Sequence, residues 1–575
     1  MINEEKEINA VVISVFPNKV KIEVKNIENF KIAGEKLSVD SYLRISDSED
    51  CAIIAIIENF SIEKTEEEKE RRYVIEAIPI GFLDKEGKFI RGGNNIAIPP
   101  VSVEPAKKEE IQKIYSQIDK KKQLVYSKLT QDSSILVPVD GDRFFNKHIS
   151  IIGATGSGKS YTLATILQKV ISEKDNGYEG LNNSHIIIFD LHGEYNTAFP
   201  KVNHLNVDNI VLPYWLMNGE ELEELFVESG ELQAYNQVSL LRRIITRNKQ
   251  KTNSNDKILF DSPVKFSMNQ VLNCIINLSK ETRDYTNPSE IKVKDNHKVF
   301  ETDEAKYDYY FKKEENFEDV KRSSINKGTY NDGSLEKFIS RIRNKLSDER
   351  LYFLLGDHVE KISFKEALQQ VLSYQDKKHA NITVIDLSGV PFEVLSITVS
   401  LISRLIFEYG YYFKRSIDES FDKTPILLVY EEAHKYVPKI QSAKYNSSRI
   451  AIERIAKEGR KYGVTLILLT QRPSEISETI FSQCNNFIAM RLTNPDDQNY
   501  VKRLLPDSLG PLTETLPILS SGEAILIGDS LIMPSLVKIN ECNPEPSSKD
   551  INYLQEWKKK WVDVNFEKII KKWYK

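Results

Sequence analysis

Cysteine is scarce in this chain of 575 residues: the four present, Cys51, Cys274, Cys484 and Cys542, lie far apart and in no metal-type spacing. That argues against a zinc module or a disulfide-stapled scaffold, and it predicts reduced, buried thiols in a cytoplasmic protein. Long apolar runs are missing too. A membrane span needs roughly 18 consecutive apolar residues, and the nearest approach, residues 394–407, is short and carries Arg404. Charged residues (Glu4, Glu5, Lys6, Glu7) fill the opening of the chain, so no secretory signal is expected. A positive charge excess is the third absence, with 79 Lys and Arg against 84 Asp and Glu and a net charge of −5. Without a global basic field, a DNA partner would have to meet a local basic surface, such as the lining of a ring.

What is present is 40% hydrophobic and 28% charged residues, the composition of a soluble globular protein too long for one core. Residues 1–105 read as a small β-barrel. Val20, Ile22 and Val24 alternate with Lys21 and Glu23, and strand-like runs follow over 51–57, 73–80 and 95–98. Residues 106–204 hold the first part of an α/β core. It is entered through a lysine-rich helical linker (106–125) with a solvated face and opens near Ile135. A helical insertion is expected over 205–380. Its middle, 280–330, is highly charged, poor in aliphatics and expected to be loose. Arg242, Arg243 and Arg247 form a basic face there, either solvated or set to meet phosphate. Residues 381–545 complete the core, and apolar strands over 184–190, 382–385, 426–430, 464–469, 487–490 and 524–527 predict a parallel, helix-covered sheet. The last segment, 546–575, reads as a terminal helix with Trp557 and Trp561 on one face, packing on a neighbour or, less favoured, lying on a membrane surface.

The most informative stretch is Gly153, Ala154, Thr155, Gly156, Ser157, Gly158, Lys159, Ser160, preceded by a short apolar strand and followed, from Tyr161, by a helix-period pattern. This is a Walker A loop. Glycines let its backbone N–H groups turn inward on phosphate oxygens, Lys159 adds a point charge, Ser160 can ligand Mg²⁺, and the helix start faces the anion. Nucleoside triphosphate binding follows. A second apolar strand, 426–430, ends in Glu431 and Glu432. In a Walker B arrangement the first acid holds the Mg²⁺ shell through water and the second deprotonates the attacking water. Glu431 stands where most such strands carry Asp. A third strand ends in Thr470 and Gln471, either a γ-phosphate sensor or a strand-end turn before Pro473. The helix over 448–462 puts Ile452, Ile455, Ala456 and Gly459 on one face and leaves Arg449, Arg454, Arg460 and Lys461 off it. Arg460 or Arg454 is the expected arginine finger, acting on a neighbouring subunit's nucleotide.

Together with Asp190, Leu191, His192, Gly193, Glu194, Tyr195, with Ala433 and His434, with the run Arg491 to Gln498, and with Ser521, Gly522, Glu523, Ala524, these segments resemble the HerA family within the HerA/FtsK group of P-loop motors. The resemblance implies a RecA-like core behind a HAS-type β-barrel and use of ATP with Mg²⁺. It also implies a homo-hexameric ring with ATP sites between subunits and double-stranded DNA in the pore. It admits the Glu431, Glu432, Ala433, His434 variant of Walker B. Family members work with a nuclease such as NurA, or, in phage defence, with effectors such as sirtuin-like NADases. Two activities therefore stand open. One is a DNA translocase or helicase, favoured by a complete hydrolytic set that includes Glu432. The other is an ATP-regulated scaffold that activates an effector, favoured by the acidic balance and the separate barrel.

Overall fold

The computed structural model describes residues 9–573 apart from 17, 26–29, 31–36, 49–50, 65–70, 93–101, 228–233, 295, 376–378, 417–422, 440–446, 505–509 and 549–550. Seven strands come first: β1 Ala10–Val15, β2 Val20–Val24, β3 Tyr42–Ser48, β4 Cys51–Lys64, β5 Arg71–Leu83, β6 Phe89–Arg91 and β7 Ser102–Pro105. They run β2-β1-β7-β3-β4-β5, and β2 pairs again with β5 (Ile22 opposite Ile75), which closes a six-stranded barrel with β6 on its flank. Alternation does the sorting: Val20, Ile22 and Val24 enter the barrel core with Leu43, Ile45 and Ile57, while Lys21 turns out to pair with Glu76. The barrel's other apolar side, with Ile54, Ile56 and Ile80, joins the main core of the molecule. The strand expected at 95–98 lies outside the described residues.

A helix, Lys108–Tyr115, leads onward, burying Ile111, Ile114 and Tyr115, and Lys120–Lys122 stay exposed as a solvated face should. The second sheet collects β8 Gln123–Leu129, β9 Leu136–Asp140, β10 His148–Ile152, β11 His185–Asp190 and β12 Val202–Leu205. The insertion contributes β13 Thr282–Asp284, β14 Glu290–Ile291, β15 Lys298–Val299 and β16 Ile325–Lys327 to a small sheet of its own. After it, β17 Ile382–Asp386, β18 Ile426–Tyr430, β19 Val464–Thr470, β20 Cys484–Met490, β21 Glu523–Gly528 and β22 Ser535–Ile539 complete the large sheet. Its order is β12-β17-β11-β18-β19-β10-β20-β21-β22-β8-β9. The seven strands from β12 to β20 are parallel. β10 and β18 are buried along their whole length, as strands covered on both faces must be.

Two expectations need correction here. The large sheet takes in the chain from Gln123, not from near Ile135, because Leu124, Tyr126 and Leu129 bury beside the lysine run. Its β21, β22, β8 and β9 edge is antiparallel, and the short turns that join β21 to β22 and β8 to β9 leave no room for a crossover helix.

The insertion is mainly helical, with helices Gly219–Phe226, Ala234–Thr252, Met268–Lys280 and Glu336–Ser347. Its charged middle is ordered rather than loose. Charges there are matched: Lys292 bridges Asp284 and Glu290, Arg283 pairs with Glu281, and the Tyr310 hydroxyl donates to Glu281. The basic face of helix Ala234–Thr252 is likewise occupied within the chain, Arg242 by Glu223, Arg243 by the Tyr330 hydroxyl and Arg247 by Asp308 through two bonds. Arg242 and Arg243 stay exposed, so the face is solvated while its charges pair within the chain.

Residues 394–407 lie in the helix Phe392–Ser416, buried within the protein, and no described helix is long and apolar enough to cross a membrane. Cys274, Cys484 and Cys542 are free and buried. At the end of the chain two short helices, Tyr553–Trp557 and Phe566–Trp573, are exposed. Trp561 falls between them, so Trp557 and Trp561 do not share a helix face.

Candidate nucleotide-binding site

Strand β10 delivers the chain directly into the glycine-rich loop. Gly156 (φ +73°) and Gly158 (φ +100°) adopt left-handed backbone, which turns successive N–H groups inward. The loop is pinned from both flanks. Gly153 N donates to Thr470 O at 3.2 Å on the β19 side, Ala154 N to Arg491 O at 2.7 Å on the β20 side, and Gly522 N to Ser157 O at 2.9 Å. Among the described residues, the amides of Thr155, Gly156 and Gly158 have no backbone acceptor. They form a donor cradle at the start of helix Lys159–Ser172. Lys159 lies across its own loop, 3.4 Å from Ala154 O. Burial lowers its ammonium pKa, against the opposing pull of Glu432, Glu431 and Glu194.

The acids arrive from the sheet register. β19 lies between β10 and β18, and the C-terminal ends of all three coincide, with Ile152 opposite Thr470 and Leu468 opposite Tyr430. Glu431 and Glu432 follow Tyr430 at once. Glu432 holds a left-handed backbone (φ +48°), costly for a residue with a Cβ. Its side chain is buried and Oε2 makes no hydrogen bond. His434 Nδ1 stands 3.3 Å away but off the bonding direction. Burial pushes the Glu432 carboxyl above the ordinary range and Lys159 draws it back.

Glu431 faces the neighbouring strand, where it accepts Leu191 N at 2.8 Å beside Asp190. Burial first, then the Asp190 charge, raises it well above an ordinary glutamate. Asp190 itself accepts the amides of Gly193, Glu194 and Tyr195 at 2.8–3.1 Å, fixing the loop that carries Glu194. The buried Tyr195 hydroxyl stands beside Ser160. No described group of three or more His, Cys, Asp or Glu side chains could hold a metal by itself. The donor set of one hydroxyl and one carboxylate fits Mg²⁺, which takes few protein ligands and completes its shell with phosphates and water.

On the sensor side, Thr155 Oγ1 donates to Gln471 Oε1 at 2.6 Å, and Thr470 Oγ1 lies 3.4 Å from His434 Nδ1. Burial, reinforced by Lys435, Arg472 and Lys159, lowers the His434 imidazole to about 4, so it is neutral.

The fold therefore brings Lys159, Ser160, Glu431, Glu432 and Gln471 to one place. It does not bring Arg454 or Arg460 there. Helix Ser447–Glu458 buries Ile452, Ile455 and Ala456 as its spacing predicts. Arg454 is exposed and stacks on Phe407 with its Cζ 4.7 Å from the ring centre. Arg460 is exposed in the turn before β19, at the opposite end of that strand from the loop, about 20 Å along seven residues. Several buried, unpartnered polar atoms surround the loop: Ser157 Oγ, Glu194 Oε2, Glu432 Oε2 and Arg491 Nε. Their gathering beside a phosphate-type loop fits a polar ligand there. Asp190, Glu194, His434, Arg491 and Gly522 carried no role in the sequence reading, although all sit in the motif segments. Their adjacency to the loop comes from strand order alone.

Comparison with known proteins agrees with this geometry. The family model of the helicase HerA central domain matches residues 124–406. The DNA double-strand break repair helicase HerA of Sulfurisphaera tokodaii is 28% identical over 489 residues, 83% of this chain and 81% of that protein. Its counterpart from Saccharolobus solfataricus is 28% identical over 471 residues, 80% of this chain and 77% of that one. Among solved structures, VirB4 of Thermoanaerobacter pseudethanolicus is 14% identical, with 74% of this chain and 98% of that one covered at a TM-score of 0.44.

Proposed function

Because the chain belongs to the HerA family of P-loop ATPases, we propose that it is an ATP-driven DNA translocase or helicase, working as a homo-hexameric ring that hydrolyses ATP between subunits. The free amides of the loop and Lys159 hold the phosphates. Ser160, and Glu431 through water, would hold Mg²⁺, which would supply positive charge to offset that of the phosphates. Glu432, buried with an unpartnered oxygen, takes the proton of the attacking water. Gln471, now bonded to Thr155, is placed to exchange that bond for a terminal phosphate oxygen.

The observation that carries the ring is the location of the helix arginines. Arg454 and Arg460 stand exposed and away from their own loop, so a finger role for either needs a second subunit. In a closed ring of head-to-tail contacts, each loop meets the arginine helix of its neighbour. Duplex DNA in the ring, and a NurA-like nuclease or a defence effector docked on it, complete the proposal. Its support is the kinship with HerA helicases and the full hydrolytic set.

Mixing tests the shared site. Lys159→Ala and Arg460→Ala (or Arg454→Ala) are each made inactive, then combined before assembly. Random mixing restores roughly a quarter of the sites, those with an intact loop beside an intact finger. Activity of both arginine variants at the wild-type level, or no recovery on mixing, contradicts the interfacial site.

A further inference from the structure

The nucleotide loop touches one more arginine, which the hydrolytic set above leaves unused. Arg491 follows β20, the strand flanking β10 on the side away from Glu432. Its carbonyl accepts the Ala154 amide at 2.7 Å, so its backbone is bonded directly to the loop. One guanidinium nitrogen, Nη2, stands 4.0 Å from the point where a Cβ on Gly156 would project. Nε is buried without a partner, and among the described residues no carboxylate pairs with the side chain. A buried guanidinium N–H left without an acceptor is costly, and the half-exposed group can gain one from an anion in the space it faces.

The surroundings indicate which anion. Arg491 lines a cavity of about 420 Å³ with Ala154, Thr155, Gln471, Arg472 and Asp497. Asp497 makes no described ion pair with it, and its Oδ1 accepts the amide and hydroxyl of Ser474 at 3.1 and 2.7 Å. Two guanidiniums thus face one committed carboxylate, and the cavity wall is continuous with the loop at Ala154 and Thr155. Gln471, bonded to Thr155, lines it as well.

We infer that Arg491 contacts the terminal phosphate of a nucleoside triphosphate bound to its own subunit, and so distinguishes the triphosphate from the diphosphate. The inference rests on the ATP-binding reading above. Its placement in cis also separates it from Arg454 and Arg460, which serve a neighbour. A guanidinium suits the task, since its fixed fork of donors matches phosphate oxygens better than an ammonium does.

The test is equilibrium binding of a fluorescent, non-hydrolysable ATP analogue and of the matching ADP to the full chain. It compares wild type, Lys159→Ala, Arg491→Ala and Arg491→Lys. Arg491→Ala is expected to weaken the triphosphate by about tenfold or more while moving ADP by less than about twofold, and Arg491→Lys to recover part of the loss. Retained ADP binding shows at the same time that the variant folds. Equal weakening of both nucleotides, or of neither, overturns the inference. So does a variant that keeps its nucleotide affinities and loses affinity for duplex DNA, which would assign the cavity to a backbone phosphate. Failure of the wild type to bind either nucleotide would strike the ATP-binding reading instead, and Lys159→Ala, expected to lose both, marks that floor.

Discussion

Glu432 holds its place at a cost. Its left-handed backbone and buried, unpartnered oxygen each oppose the folded state by roughly 1–3 kcal/mol, and neighbouring structure offsets them. Replacing it with Gln keeps shape and removes the base. Glu432→Gln is predicted to bind ATP normally while turnover falls by roughly 10²–10⁴-fold, as measured by binding and single-turnover hydrolysis on the same preparation. Nearby, His434 offers a pH readout without nucleotide. Its imidazole drops from the ordinary 6.5 to about 4 on folding, so the folded state binds fewer protons between those values. The stability it contributes is present above pH 6.5 and is lost as pH falls toward 4, by at most about 3 kcal/mol. Urea titrations of the nucleotide-free protein across that window check this: His434→Gln should flatten the slope, and an unchanged slope contradicts the assignment.

At the scale of elements, the core strands were legible because parallel strands covered on both faces read as unbroken apolar runs. The positions of Ile426–Tyr430 and Val464–Thr470 followed from that, together with the loop and the acids at their ends. Strand order was not legible. Neither that β19 divides β10 from β18 nor that β20 sets Arg491 against the loop could be read locally. The insertion hid its small sheet for another reason: β13 to β16 are two or three residues each, too short to leave a periodic trace, and β13 pairs with the distant β16.

One such pair joins the insertion to the core. Glu221 of helix Gly219–Phe226 is fully buried and meets Arg404 of the long helix Phe392–Ser416 at 2.9 Å, with Ser400 adding a hydroxyl at 2.8 Å. Removing one charge strands the other, so Arg404→Ala is predicted to cost about 3–5 kcal/mol in denaturant unfolding. The double change Glu221→Gln with Arg404→Met should recover much of that loss. Equal losses in both variants would show that packing, and not the charge, holds the two helices.

For the molecule as a whole, barrel, core and insertion share one apolar core apart from the barrel's own interior, and the net charge of −5 gives no global basic field. DNA affinity is therefore predicted to rest on a local basic surface and to fall steeply with salt, because phosphate contacts carry it. ATP consumption is the quantity that links site to assembly. Steady-state hydrolysis by the purified full chain, with and without linear duplex DNA and with Glu432→Gln as the blank, tests that link most directly. Strong stimulation by DNA, absent in the blank, is the result expected of a motor. Hydrolysis that ignores DNA would contradict translocation and favour a ring whose ATP cycle governs a bound effector.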